Sequence, residues 1–124
     1  MGVPSAVQHR RRAIVVVAMA SLLAIIVAAC GAPEPPEFPD VPEGASVIDQ
    51  DGLKFIPNQL TVSVGDDVYF TNSEHALHTV TVDGENISGN MSRGDAFVWT
   101  FDTPSEYRIT CDFHPRMRAT IIVE

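Results

Sequence analysis

The chain has 124 residues and a formal net charge of −8, room for one modest domain and little else. Three of its basic residues, Arg10, Arg11 and Arg12, precede the first apolar run, so from Cys30 onward 5 Lys/Arg stand against 16 Asp/Glu, or −11. A balance that acidic argues against nucleic acid, whose phosphates need a basic footprint, and two cysteines are too few for a disulfide framework.

The N-terminus reads as an address. His9-Arg10-Arg11-Arg12 forms a positive stretch, and Ala13 to Ala29 is apolar except for Ser21. About 17 residues is the short limit of a membrane-spanning helix and suits the core of an export signal. The run ends in Val27-Ala28-Ala29-Cys30, which resembles a bacterial lipobox. That resemblance implies cleavage before Cys30 and diacylation of its sulfur, with residues 1–29 as a lipoprotein signal peptide. The alternative, a retained transmembrane anchor with an incidental cysteine, also places the C-terminal domain outside the cytoplasmic membrane.

Residues 30–44 form a linker. Pro33, Pro35, Pro36, Pro39 and Pro42 alternate with Glu34, Glu37, Asp40 and Glu43. Proline favours the extended polyproline II form and like charges repel, so this composition predicts a stalk without a core of its own, reaching about 40 Å at roughly 3.1 Å per residue.

From residue 45 to 124 the pattern is β. Leu60, Val62 and Val64 alternate with polar residues, then Val68 with Phe70, Phe97 with Trp99 and Phe101, Tyr107 with Ile109 and Cys111, and Ile121 with Val123. Turn chemistry separates these runs at Pro57-Asn58, Gly65-Asp66-Asp67, Asp83-Gly84, Ser88-Gly89-Asn90, Arg93-Gly94-Asp95 and Thr103-Pro104-Ser105. Short strands at such intervals predict a single all-β domain, a small sandwich or barrel.

Chemistry concentrates at the C-terminus. Cys111, His114 and Met117 are spaced three apart in a short loop before a β-branched strand, and His78 lies upstream in His78-Thr79-Val80-Thr81-Val82. Side chains of a strand alternate between faces, so His78 shares a face with Val80 and Val82, and Cys111 with Tyr107 and Ile109. Two donors therefore point inward from separate strands. Singly, each residue has an ordinary explanation: a hydrogen-bonded core histidine, a small buried thiol, a surface histidine, a core methionine. Together, two imidazoles, a thiolate and a weak thioether are the donor set of a mononuclear electron-transfer copper site. The thioether favours copper over zinc, which takes four Cys/His donors or leaves a water position. His75 reads as a solvated loop residue and Arg93-Gly94-Asp95 as a plain turn.

These residues carry a family resemblance. Residues 45–124 resemble the cupredoxins, the small blue copper proteins, and within them the amicyanin and plastocyanin branch. Val64-Gly65-Asp66-Asp67-Val68-Tyr69-Phe70-Thr71-Asn72 is similar to the strand leading to their first histidine ligand, and Phe101 through Cys111 to their approach to the cysteine. The Cys111–His114–Met117 spacing matches the short amicyanin-type loop. The resemblance implies a Greek-key β-sandwich, one copper ion cycling between Cu(I) and Cu(II), the ligands His78, Cys111, His114 and Met117, and outer partners Asn72, Thr79 and Asp112. Thr79 stands where the family often has Asn after the first histidine. A hydrogen bond from the Thr79 hydroxyl to the Asp112 carboxylate is expected to join the two ligand loops in its place.

The expected function is a monomeric, non-enzymatic carrier of single electrons. It is tethered through lipidated Cys30 to the extracytoplasmic, periplasmic face of the cell membrane and serves redox proteins there. The alternative is a module that stores copper or delivers it to a cuproenzyme; a carrier keeps its ion through a redox cycle, whereas a delivery protein hands it over.

Overall fold

The computed structural model describes Gly2 and residues 31–124, of which Ala32–Glu124 form one compact unit. The signal peptide assigned to residues 1–29 and the lipidation site Cys30 lie outside the described residues. No helix among the described residues is long and apolar enough to cross a membrane.

Among the described residues nine strands occur in chain order: β1 (Ser46–Asp51), β2 (Lys54–Ile56), β3 (Gln59–Val62), β4 (Asp66–Asn72), β5 (Thr81–Val82), β6 (Glu85–Asn86), β7 (Ala96–Phe101), β8 (Ser105–Thr110) and β9 (Arg118–Val123). They form two mixed sheets, β2-β1-β4-β7 and β3-β9-β8-β5-β6. β1 runs parallel to β4, and β3 parallel to β9, so sequence neighbours are often not sheet neighbours. This is the all-β sandwich that the turn spacing predicts. Ile48, Val68, Phe70, Phe101, Ile109, Ile121 and Val123 fill the space between the sheets.

Register defines the two ends of the sandwich. Asp66 pairs with Phe101 and Ser105 with Val123 at one end; Thr71 pairs with Ala96 and Thr110 with Arg118 at the other. The turns obey their local chemistry. Asp83 and Gly84 both take positive φ (50° and 97°), the conformation a two-residue hairpin with right-handed twist requires. The Tyr107 hydroxyl donates to the Thr103 carbonyl at 2.9 Å and pins the turn between β7 and β8.

The alternation departs from expectation in three places. Val64 is exposed because β3 ends at Val62 and the chain has already entered the turn. Trp99 shares a face with buried Phe101 yet is 40% exposed. It lies on the edge strand β7, where the opposite sheet no longer covers it, and it stacks on Phe97 with ring centroids 6.3 Å apart. His78, Thr79, Val80 and Thr81 are all buried, because a loop beyond the sheet covers the threonine face as well.

The proline-rich segment also differs from the predicted stalk. Phe38 and Val41 are half-buried, Asp40 lines a cleft with Tyr69, Ala96, Phe97 and Val98, and Arg93 Nη2 donates to the Glu34 carbonyl at 2.7 Å. Two apolar residues and one guanidinium are enough to lay the segment on the sandwich.

The packing predicts a contrast within one residue type. Ile48→Ala should cost about 2–5 kcal/mol, because a fully buried side chain leaves a cavity. Ile56→Ala, at 49% exposure, should cost less than about 1 kcal/mol. Denaturant unfolding of both variants measures the difference.

Candidate metal centre

The metal-binding candidates come from three places at one end of the sandwich. His78 follows the loop after β4, Cys111 follows β8, and His114 and Met117 lie in the loop before β9. His78 is held by a bridge to Met91: its N–H donates to the Met91 carbonyl at 3.1 Å and its carbonyl accepts from the Met91 N–H at 2.8 Å. The Met117 N–H donates to the His114 carbonyl at 2.9 Å, closing the Cys111–Met117 loop into a tight turn.

The structure brings three donors together. His78 Nδ1 lies 3.7 Å from Cys111 Sγ, His114 Nδ1 lies 3.6 Å from the same sulfur, and the two nitrogens are 3.2 Å apart. Three donors that share one ion at about 2.0–2.3 Å stand roughly 3.3–3.8 Å from one another. The observed triangle has that size, so the residues fit a single metal ion. His78 and Cys111 are buried and His114 half-buried, and Met117 is buried in the same loop.

The ring of His78 is fixed by Glu74, a residue whose place in the sequence suggests only a loop. His78 Nε2 is 2.7 Å from Glu74 Oε1. A carboxylate only accepts, so Nε2 carries the proton and Nδ1 turns its lone pair toward Cys111 and His114. The same Glu74 oxygen accepts the Leu53 N–H at 2.8 Å, which ties the tip between β1 and β2 to the histidine. A carboxylate four residues before a buried histidine was the available signal. His75, by contrast, is exposed and outside the cluster, as the sequence implies.

Asn72 and Met91 brace this end. Asn72 is fully buried; its Nδ2 donates to the carbonyls of Ala76 (2.8 Å) and Met91 (2.9 Å), and its Oδ1 accepts the Glu74 N–H (3.0 Å). Gln50, also buried, donates to Met91 Sδ at 3.4 Å.

The expected Thr79–Asp112 hydrogen bond needs correcting. Thr79 does join the two loops, but its hydroxyl oxygen accepts the Asp112 backbone N–H at 2.9 Å. The Asp112 carboxylate is taken by the Thr81 hydroxyl at 2.6 Å and by Asn86 Nδ2 at 2.7 Å. Thr79 lies just before β5 and Thr81 begins it, so the second hydroxyl reaches the carboxylate and leaves the first beside the backbone.

Around His114 the surface is apolar with a basic rim. Leu53, Phe113 and Pro115 line a shallow cleft with Lys54, His114, Arg116 and Met117. Leu53 and Phe113 are about half exposed, and Leu77 is exposed on the loop before His78.

The β-sandwich and this His–Cys–His cluster define a copper-binding domain of the cupredoxin type. Residues 42–124 match the family described as copper binding proteins, plastocyanin/azurin family, and the chain belongs to it. The chain is 31% identical over 91 residues to amicyanin from Paracoccus versutus, covering 68% of this chain and 69% of that one. Amicyanin from Paracoccus denitrificans is 36% identical over 91 residues, covering 68% and 70%. The crystal structure of the Paracoccus versutus amicyanin superposes with a TM-score of 0.66 at 29% identity, over 73% of this chain and 92% of that one. Amicyanin variants of the same fold are known in a reduced Cu(I) form and in an oxidised state. The protein's cofactor is copper, as the sequence predicts.

The Glu74 contact predicts a graded loss. Glu74→Ala should weaken copper binding by about 10–100-fold, the usual effect of losing a ligand's outer hydrogen bond. Glu74→Gln, whose amide oxygen can still accept from His78, should fall between it and the wild type. Competition with a copper chelator measures both, with His75→Ala as the variant that changes nothing.

Proposed function

We propose that the protein is a type 1 copper electron carrier, tethered outside the cytoplasmic membrane through Cys30, with His78, Cys111, His114 and Met117 as its ligands. The observation that carries this reading is the contrast between the buried donors and the half-buried His114. When bound, copper supplies a one-electron Cu(II)/Cu(I) couple. His78 and Cys111 hold their donor atoms inside the sandwich, where Glu74 and the β8 backbone fix them. His114 is the ligand whose ring reaches the apolar surface between Phe113 and Pro115. An electron can pass through that ring edge without any residue moving.

The same burial argues against copper delivery. An acceptor protein would have to reach Cys111, which is 3% exposed, and displace a ring that Glu74 holds in place. Opening the Cys111–Met117 loop would break the Met117–His114 backbone bond and uncover buried Met117. A structure suited to release would leave its thiolate accessible.

Export fits the chemistry as well. The basic and apolar N-terminal run and Val27-Ala28-Ala29-Cys30 support a lipoprotein signal, and two acyl chains on Cys30 give stable anchoring where one gives only marginal binding.

Ligand substitutions test the assignment by optical spectroscopy and voltammetry of the copper-loaded protein. Cys111→Ser should abolish the intense thiolate-to-copper absorption. Met117→Leu should keep the colour and raise the potential, because a weak donor to Cu(II) is lost. A colourless, metal-free Met117→Leu protein would remove Met117 from the ligand set. His78→Ala should reduce copper affinity far more than His75→Ala; the opposite order reassigns the histidine.

The basic rim makes a separate prediction about rates. Arg116 lines the cleft with His114 and Arg118 Nε donates to the carbonyl of neighbouring Pro115, on an otherwise acidic body, and the two should steer anionic partners to the copper end. Oxidation of the reduced protein by hexacyanoferrate should be faster at low salt, and Arg116→Glu with Arg118→Glu should slow it and reverse its salt dependence. The cationic oxidant tris(phenanthroline)cobalt should show the opposite change, with the optical spectrum the same throughout. Equal rates for the double variant and the wild type at low salt would move docking to another face.

A further inference from the structure

The proline-rich segment takes a definite course over the sandwich. Ala45 precedes Ser46, which pairs with Val68 in the half of β4 remote from the donors. Asp40 lies further along, in a cleft with Tyr69, Ala96 and Val98, and Ala96 pairs with Thr71 near the metal end. Glu34 reaches beyond the strands, where Arg93 Nη2 donates to its carbonyl at 2.7 Å. Arg93 Nε donates to the Ser73 carbonyl at 3.2 Å, and Ser73 adjoins Glu74, the residue that holds His78. From residue 45 back to 34, the chain therefore runs from the far end of the sandwich to the metal end.

Arg93 is itself firmly placed. The turn that carries it is bonded to Asn72 on both sides: Gly94 N–H donates to the Asn72 carbonyl at 2.8 Å, and Asn72 N–H to the Asp95 carbonyl at 3.0 Å. Asp95 Oδ2 accepts the Ser92 N–H at 2.7 Å and closes the turn. The Arg93-Gly94-Asp95 tripeptide thus gains a role that its turn chemistry alone does not suggest.

We propose that residues 34–44 are a strap, latched by Arg93, that brings the chain out of the domain at its metal end, so that the anchored protein turns the His114 edge toward the membrane and exchanges electrons with a redox protein seated in that same membrane. The proposal rests on the reading of Cys30 as the anchor and of His114 as the electron port. Magnitudes separate it from a free stalk. A free linker reaches about 40 Å from the lipid at roughly 3.1 Å per residue and leaves the domain free to turn. With Glu34 latched, three residues remain between it and Cys30, four Cα steps that span at most about 14 Å of chain. Charge acts in the same direction. Lys54 and Arg116 line the cleft beside His114, whereas residues 30–124 carry −11 in total. An acidic partner in the membrane attracts the basic rim and repels the body. The partner that fits is a membrane protein with an acidic rim around an apolar centre, matching Leu53, Phe113 and Pro115.

Two measurements on the full lipidated chain, loaded with copper, test the strap and the anchor separately. In detergent micelles, a nitroxide on Glu34→Cys and the Cu(II) ion report their distance by pulsed electron paramagnetic resonance. A single narrow, short distance is expected, and adding Arg93→Ala should broaden and lengthen it while the optical spectrum stays unchanged. A broad distribution with Arg93 in place would overturn the strap. In phosphatidylcholine vesicles with a quencher on the lipid headgroup, a fluorophore on His75→Cys at the metal end should be quenched more than one on Asp102→Cys at the far end. Arg93→Ala should remove the difference. Equal quenching of the two labels with Arg93 present, or stronger quenching of the Asp102→Cys label, would overturn the orientation. Cosedimentation of the cleaved, lipidated chain with the vesicles reports the anchor. A narrow micelle distance without vesicle binding would reject the anchor reading and the membrane-facing orientation with it. Vesicle binding with a broad distance would reject the strap and leave the anchor standing.

Discussion

One buried amide organises the metal end. Asn72 spends every polar atom it has: Nδ2 on the carbonyls of Ala76 and Met91, Oδ1 on the Glu74 N–H, and its backbone on Gly94 and Asp95. Those bonds join the loop before His78, the Met91 segment that bridges to His78, and the turn that carries Arg93. A buried amide with a missing partner costs about 1–3 kcal/mol, so the three segments hold one another in a single arrangement. Glu74 is placed by Asn72, His78 by Glu74, and the lone pair of His78 by its own proton on the opposite nitrogen.

That chain of placement explains how little of the site needs to move. The Cys111 side has a second set of bonds, in which Asp112 N–H reaches Thr79 and the Asp112 carboxylate receives Thr81 and Asn86. The two ligand loops are thus joined directly, as well as through whatever ion they share. Donors already spaced 3.2–3.7 Å apart and fixed from behind leave a bound ion little room to choose a geometry. For electron exchange such rigidity is useful, because the protein does not have to rearrange between oxidation states.

Much of this was legible in the sequence, for a physical reason. Strand periodicity and turn residues are local, so the sandwich, the Asp83-Gly84 hairpin and the inward phase of Cys111 could be read directly. The spacing of Cys111, His114 and Met117 is local too. What escaped were contacts set by tertiary packing. Glu74 looked like a loop acid until the fold turned it back onto His78, and Met91 looked unremarkable until it paired across from the same residue. Sequence position beside the histidine points to Thr79 as partner of the Asp112 carboxylate; the fold brings the Thr81 hydroxyl to that oxygen instead. Trp99 failed the simple pattern because alternation predicts a face and cannot say where a sheet ends.

The linker shows the same limit and gives it a functional edge. Composition alone favoured extension and repulsion, since proline and acidic residues dominate residues 31–44. It gave no weight to Phe38, Val41 and one arginine 59 residues away, yet those residues decide which end of the domain the chain leaves. A tether attached at the far end would hold His114 away from its anchor, and only partners free in the surrounding space could meet it. With the proposed anchor at Cys30, a tether leaving beside Ser73 and Arg93 would place the proposed port next to the anchoring surface. The choice between those two designs depends on the Arg93 latch and not on the copper ligands, so the two can vary independently while the redox centre stays the same.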